Sequence, residues 1–290
     1  MSNPVDRLTF DRPIFIVSTP RSGSTLLFET MEQAPGLFTT GRESHQLIER
    51  IPGFRPAERG WSSNRLDAAD AVPEKVQQLE ANFLEKVHDR DGRRPQGAFR
   101  LLEKTPKNAL RVPFFASAFS DSLFIYLYRD PRQTLGSMLE AWLSGGFRTY
   151  PALPAWTGHG WSMLLVPGWQ ELNGRPLPEI VAHQWRITTE TLIADLSALP
   201  RERLCGANYA ELVSNPQALL ERLAGFAGLG WDCQLPQQLP LSKTTVSRPG
   251  SDKWKRFGNA IERVMPIVEE ADARARAFLA SLRKEAPENR

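Results

Sequence analysis

Cysteine is scarce in this chain. Among the 290 residues there are two cysteines, Cys205 and Cys233, which lie far apart and form no C-x-x-C pair. Disulfide frameworks and zinc sites need clustered cysteines or histidines, so this pattern argues against both kinds of site. We therefore expect a protein of a reducing compartment, the cytoplasm.

Long apolar runs are also lacking. No segment approaches the length of about 20 apolar residues that a membrane-spanning helix needs. The first residues, MSNPVDRLTFDRP, contain acids and a proline where a signal peptide has a basic start and an apolar core. The sequence predicts no membrane span and no secretion signal.

A large excess of charge of one sign is missing as well. Lysine and arginine number 36 against 33 aspartates and glutamates, which gives a formal net charge of +3. Such a surface is not a polycation, so we expect no nucleic-acid partner. With 41% hydrophobic and 24% charged residues the composition is that of a globular protein, and we predict one domain over residues 1–290.

The first clear feature that is present is a strand, a tight loop and a helix. An apolar run at 14–18 is followed by the turn-forming residues 19–23 and by a helical pattern at 24–32. A continuous apolar strand that leads directly into a helix is typical of a parallel sheet covered on both faces.

The same alternation continues along the chain. Further strands are predicted at 99–104, 123–128 and 204–209. Helices are predicted at 73–88, 108–119, 131–142, 178–199, 216–225 and 259–290, the last with a kink at Pro266. The sequence predicts an α/β fold with a P-loop-like parallel sheet of about four to five strands flanked by helices.

Residues 144–177 break this alternation. The segment is rich in glycine and proline and contains Trp156, Trp161 and Trp169. Loops of this length in compact domains are usually functional, so we predict an ordered, inserted lid. The tryptophans either form an apolar wall over a bound ligand or attach the segment to the core.

The loop at 18–25 has the layout of a phosphate-binding loop, because backbone N–H groups and a helix N-terminus converge there. In nucleotide hydrolases the pattern is G-x-x-x-x-G-K-[ST]. Here Ser18 replaces the first glycine and Ser24 replaces the lysine that holds a triphosphate, while Gly23 is kept and Arg21 supplies a fork-shaped cation. The alternative interpretation is an ordinary Pro-Arg-Ser-Gly turn.

Several segments together resemble the sulfotransferases that use 3′-phosphoadenosine 5′-phosphosulfate (PAPS), in particular the bacterial small-molecule branch and, more distantly, the tyrosylprotein sulfotransferases. The segments are PRSGSTL at 20–26, EKTP at 103–106, LFIYLYRDPR at 123–132 with Ser137, NYAEL at 208–212, and the stretch from LSKTT at 241–245 to KWK at 253–255. They cover most of the chain, from about residue 14 to residue 256.

The resemblance implies a PAPS site and adenosine 3′,5′-bisphosphate (PAP) as the product. It assigns the 5′-phosphosulfate to Arg21, Ser22, Gly23, Ser24 and Thr25, the 3′-phosphate to Arg129 and Ser137, the adenine side to Tyr209, and the covering C-terminal segment to Arg248, Lys253 and Trp254. Arg129 ends a predicted strand, and ligands of open α/β sheets bind at such strand ends. Asn208 and Ala210 depart from the R-Y-E-D-L segment of the family, and an R-K-G run is absent.

The catalytic residues implied by the resemblance are cations, a serine and a base. Sulfuryl transfer needs its bridging oxygen neutralised as it gains charge, and Arg21 and Lys104 are the candidates, without a metal. Ser242 resembles a serine that touches the sulfuryl group in the tyrosylprotein branch. Alternatively, Lys104 is a lysine in a turn before Pro106 and has no catalytic role. The alternative for Ser242 is an exposed loop hydroxyl.

The base that accepts the proton of the acceptor hydroxyl is predicted to be Glu43, which takes the place of the base in the G-E-E-T-R segment of the tyrosylprotein enzymes. His45 is the rival, followed by His183. Alternatively, Glu43 is a structural ion-pair partner of Arg42 or Arg21.

The predicted function is sulfuryl transfer from PAPS to a hydroxyl of a small-molecule or carrier-bound acceptor with an elongated apolar body. One alternative is a nucleotide-dependent small-molecule kinase, which the replacement of lysine by Ser24 disfavours. Another is a nucleotide-binding scaffold without turnover.

Overall fold

The computed structural model describes residues 8–242, 250 and 252–283. Its strands are β1 Thr9–Phe10, β2 Ile14–Val17, β3 Leu37–Phe38, β4 Ala98–Lys104, β5 Leu123–Tyr128, β6 Arg148–Tyr150, β7 Trp161–Ser162 and β8 Leu204–Asn208. A parallel sheet has the order β1-β4-β2-β5-β8, with β3 paired to β4, while β6 and β7 form a separate antiparallel pair. The predicted parallel sheet is confirmed; β1 and β3 are two residues long and too short to show a period.

Helices cover both faces of the sheet. They are α1 Ser24–Met31, α2 His45–Glu49, α3 Pro73–Leu84, α4 Val112–Ala118, α5 Pro131–Ser144, α6 Leu177–Ser197, α7 Tyr209–Ser214, α8 Pro216–Ala227 and α9 Gly258–Ser281. Phe15 and Val17 of β2 pack in one core with α3, α4, α6 and α9, whereas Ile14 and Ile16 pack in another with α1, α7 and α8. Burial on both faces explains the continuous apolar strand sequences.

Three predicted elements differ from the structure. The helix expected at 108–119 is a 3₁₀ turn, Pro106–Leu110, followed by α4, because Pro113 is tolerated only in the first turn of a helix. The helix expected at 73–88 ends at Leu84, since the backbone of His88 pairs with that of Thr39. Tyr209 begins α7 rather than ending β8.

The segment at 144–177 is ordered and contains the β6–β7 hairpin. Trp161 and Trp169 are 0% and 2% exposed, and their indole N–H groups donate to the carbonyls of Leu164 and Trp61. Trp161 and Trp169 therefore attach the segment to the core, which favours the packing interpretation for these two residues. Its role as a lid stays a prediction.

Among the described residues, no helix combines the length and the apolar character that crossing a bilayer requires.

Candidate active site

The phosphate loop joins β2 to α1 at the carboxyl edge of the sheet. Gly23 precedes α1 with a φ of 92°, and a Cβ there would lie 2.4 Å from the ring of Tyr209. Only glycine fits this combination of left-handed backbone and close approach. The hydroxyls of Thr19 and Ser22 are 2.6 Å apart, which closes the loop from within.

Two arginines meet beside this loop, each with an aromatic ring beneath its guanidinium. Arg21 lies 4.7 Å from the ring centre of Phe147 and donates to Ser137 Oγ at 3.2 Å. Arg129 lies 4.1 Å from the ring centre of Tyr209 and donates to the carbonyl of Arg21 at 3.1 Å. Stacked, partly desolvated guanidinium groups of this kind suit a phosphate or sulfate ligand.

Burial makes these two charges costly. Burial, and next the Arg129 cation, lowers the pKa of Arg21, and burial lowers the pKa of Arg129. An anion placed beside both guanidinium groups would offset the repulsion between them. The site therefore gains electrostatically from binding an anionic ligand.

A lysine and a glutamate pair next to the loop. Lys104, at the end of β4, is 3% exposed, and its ammonium donates to Glu43 Oε1 at 2.8 Å and to Thr25 Oγ1 at 3.0 Å. His45 Nδ1 lies 3.9 Å from Glu43 Oε2. Burial, and after it Lys107, lowers the pKa of His45, which favours the neutral imidazole at pH 7.

A second ionic cluster lies farther along the cavity. Glu49 accepts hydrogen bonds from Lys107 Nζ at 2.7 Å and from Arg111 Nη2 at 2.7 Å. The amide of Asn64 bonds to Tyr150 in the hairpin and to the backbone N–H of Leu165. Sequence reasoning missed this cluster; the four-residue spacing of Lys107 and Arg111 was the available signal, but nothing in the sequence pairs them with Glu49.

Many of these groups border one cavity of about 1200 Å³. We call its two parts the phosphate-loop end, which includes Arg21, Gly23, Arg129, Ser137 and Tyr209, and the hairpin end. The hairpin end is lined by Gln46, Glu49, Pro106, Lys107, Phe147, Tyr150, Met163 and Leu164. Glu43 and His45 lie on the wall of the same cavity. The volume is slightly above the range of about 300–1,000 Å³ that is usual for a small-molecule site.

The structure brings most of the predicted site residues together. Those on the cavity wall are Arg21, Gly23, Ser24, Thr25, Glu43, His45, Arg129, Ser137, Tyr209, Ser242, Lys253 and Trp254. Ser22 is buried within the loop, and Lys104 reaches the wall through Glu43 and Thr25. Arg248 lies outside the described residues.

Two of the predicted residues have a different setting from the expected one. His183 is on α6 and, as far as the described chain shows, is not part of the cavity wall, whereas Glu43 and His45 are. Lys253 donates to the carboxylate of Glu140 at 2.5 Å, so α5 holds the C-terminal segment in place. At Gly136 a Cβ would lie 2.9 Å from Trp254 Cα, so this close contact requires glycine.

Comparison with known proteins bears on this site. A model of the Sulfotransferase family matches residues 13–233. Protein-tyrosine sulfotransferase A of Caenorhabditis elegans is 22% identical over 223 residues, which cover 76% of this chain and 50% of that protein. Protein-tyrosine sulfotransferase 2 of Gallus gallus is 22% identical over 261 residues, which cover 89% and 61%. The chain thus spans about half the length of such relatives.

A solved structure shares the fold. The sulfotransferase from Alicyclobacillus acidocaldarius superposes with a TM-score of 0.52 at 15% identity, covering 93% of this chain and 96% of its own.

Proposed function

Because the chain belongs to the Sulfotransferase family, we propose that it is an enzyme that transfers a sulfuryl group from PAPS to an acceptor hydroxyl and releases PAP. The observation that carries the proposal is the cavity in which a phosphate loop, two stacked arginines and a Lys104–Glu43 pair lie together. In the reaction the bond between sulfur and the bridging phosphate oxygen breaks, and a bond from sulfur to the acceptor oxygen forms.

The phosphate-loop end is proposed to hold the nucleotide. The loop N–H groups and Thr25 would bind the 5′-phosphosulfate, and Arg129 with Ser137 would bind the 3′-phosphate. Tyr209, already stacked on Arg129, would lie on the adenine side. Lys253 and Trp254 would cover the nucleotide, and the contribution of Arg248 stays a prediction.

The catalytic groups are proposed from what borders the transfer path. Arg21 and Lys104 would neutralise the bridging oxygen as it gains charge, and Ser242 would donate to the sulfuryl group. An ammonium has three N–H donors, two of which Lys104 directs to Thr25 and Glu43. Glu43 would take the acceptor proton, with neutral His45 as the rival base.

The hairpin end is proposed to hold the acceptor. Lys107 on its wall is already bound by Glu49, while Phe147, Tyr150, Met163 and Leu164 offer apolar surface. This combination suits a hydroxyl on an apolar body rather than a polyanion. A carrier-bound hydroxyacyl chain is one such acceptor, and a cytoplasmic location is the compartment we expect.

The test separates this function from the two alternatives. PAP should raise the melting temperature of the protein, whereas ATP with magnesium should have much less effect; the reverse result would favour a kinase. Radiolabelled PAPS should then label long-chain alcohols, phenols and hydroxyacyl thioesters. Binding of PAP with transfer to none of them would favour a scaffold, and a sugar as the best acceptor would contradict the apolar assignment.

A further inference from the structure

A carboxylate that the proposed chemistry does not use lies directly behind the proposed base. Glu103 of β4 is 2% exposed and accepts hydrogen bonds from the hydroxyl of Ser44, from Thr105 Oγ1 at 2.6 Å and from Asn108 Nδ2 at 2.5 Å. Ser44 stands between Glu43 and His45 in sequence. A buried carboxylate with three polar partners is a costly arrangement, which suggests that it has a task.

The directions of these hydrogen bonds are fixed by their chemistry. The backbone N–H of Ser44 donates to Thr105 Oγ1 at 2.8 Å, so the Thr105 hydroxyl directs its own proton to Glu103. Asn108 donates through its amide nitrogen. Burial raises the pKa of Glu103, and the hydrogen bonds from Ser44, Thr105 and Asn108 offset this effect only in part. All three partners have a proton to donate to Glu103.

Neighbouring side chains of β4 hold neighbouring residues of the 43–45 segment. Successive side chains of a strand point to opposite faces, so Glu103 and Lys104 leave the strand on opposite sides. Glu103 bonds to Ser44, and Lys104 bonds to Glu43. The end of β4 therefore contacts this segment at two consecutive residues, Glu43 and Ser44, through side chains on opposite faces of the strand.

We propose that Glu103 is a positioning residue that fixes the 43–45 segment, and with it the Glu43 carboxylate, against the end of β4. The proposal rests on the proposed function for its effect on rate, but its effect on local structure is independent of turnover. Glu103 itself is on β4 with no place on the cavity wall, as far as the described residues show.

The primary variant is Glu103→Gln, which keeps the shape and puts an amide N–H₂ where an acceptor is needed, so that two donors face each other. We expect kcat to fall about 10²-fold, the scale of a misplaced catalytic group, with the KM of the acceptor and the affinity for PAP changed less than about 2-fold. Amide hydrogen exchange at Ser44 and His45 should accelerate, while exchange in β5 stays slow.

Two further variants keep the test decisive if this variant folds poorly. Thr105→Val keeps the buried carboxylate but removes one of its donors and the acceptor of the Ser44 N–H, so it should lower kcat and accelerate exchange at Ser44 in the same sense. Asp70→Asn is the matched control, because Asp70 pairs with Arg59 at 2.6 Å away from the cavity. It should lower the melting temperature without lowering kcat.

The outcomes separate the two proposals. Sulfuryl transfer absent from the wild type, with faster Ser44 exchange in Glu103→Gln, refutes the function but supports the positioning role. An active wild type with unchanged Ser44 exchange in Glu103→Gln refutes the positioning role. A fall in kcat that merely follows the loss of stability, as judged against Asp70→Asn, also refutes it.

Discussion

The two ends of the cavity arrange their charged groups differently. At the phosphate-loop end, the guanidinium groups of Arg21 and Arg129 each lie over an aromatic ring. Arg21 donates a hydrogen bond to the hydroxyl of Ser137, and Arg129 donates one to the carbonyl of Arg21. At the hairpin end, Lys107 and Arg111 both donate to the carboxylate of Glu49. An added anion would offset the repulsion between the guanidinium groups of the first end, whereas at the second end both cations already donate to one carboxylate.

This difference determines what each end can recognise. Buried charges of like sign are stabilised by an anionic ligand, so the phosphate-loop end suits the PAPS phosphates. A buried pair that is already formed offers little further binding energy to a charged ligand, so the hairpin end discriminates through its apolar surface. Glu43, paired with Lys104, lies on the wall of the same cavity, and its role as the base stays a proposal.

The largest expected effect is on turnover and tests the proposed role of Glu43 as the base. Glu43→Gln keeps the shape of the side chain and removes its basicity, so turnover should fall by about 10²–10⁴-fold. The charge of Lys104 is then no longer offset, so affinity for PAP should stay the same or increase. Steady-state rates and isothermal titration with PAP measure both quantities.

His45→Ala is the control for this assignment. If His45→Ala abolishes turnover without loss of PAP binding while Glu43→Gln retains most activity, the base is the histidine. A joint drop of stability, PAP affinity and rate in Glu43→Gln would instead make Glu43 a structural partner of Lys104.

The next effect contrasts the cations of the two ends. Arg129→Ala should weaken PAP binding by about 2–3 kcal/mol, the scale for losing a charge-assisted partner of a buried anion. Lys107→Ala should leave PAP affinity nearly unchanged, because Lys107 serves Glu49. Equal losses in the two variants, measured by titration calorimetry, would show that the two ends do not divide the ligands as proposed.

The two ends also differ in how much of each could be predicted from the sequence. Arg21 and Arg129 follow strands and Lys104 ends one, and parallel strands end at one edge of the sheet, so short-range patterns suffice to bring them together. Glu49 and Lys107 lie 58 residues apart in sequence, and their contact depends on how α2 packs beside the 3₁₀ turn after β4. No local period encodes that contact.

The tryptophans show a second limit. Trp156, Trp161 and Trp169 in a glycine-rich loop fit a ligand wall and a packing role equally well by composition. The indole N–H groups of Trp161 and Trp169 donate within the fold, which favours packing for these two, and the apolar residues on the cavity wall include Phe147, Tyr150, Met163 and Leu164. Side-chain direction, which sequence does not give, made the difference.

The smallest expected effect concerns the stability of the hairpin end. Burial acts to raise the pKa of Glu49, but the cations Arg111 and Lys107 outweigh it, so that the pKa is lowered. A carboxyl whose pKa is lower in the folded than in the unfolded state stabilises the fold above its unfolded pKa of about 4.3. That contribution is lost as the pH falls through the lower, folded value.

Glu49→Gln should therefore reduce the free energy of unfolding at pH 7 by about 2 kcal/mol, because it leaves Lys107 and Arg111 without their anion. The amide oxygen still accepts hydrogen bonds, and Glu49 is 16% exposed, which keeps the loss below that of a fully buried pair. In urea titrations, the wild type should lose stability more steeply than the variant below about pH 4. Glu85→Gln is the control: Arg50 lowers the pKa of Glu85 too, but this pair is solvent-exposed and screened, so its removal should change little. If the stability of both variants depended on pH as that of the wild type does, the ion pairs of Glu49 would not contribute to the free energy of unfolding. The contrast between the hairpin end and the phosphate-loop end would then lose its support.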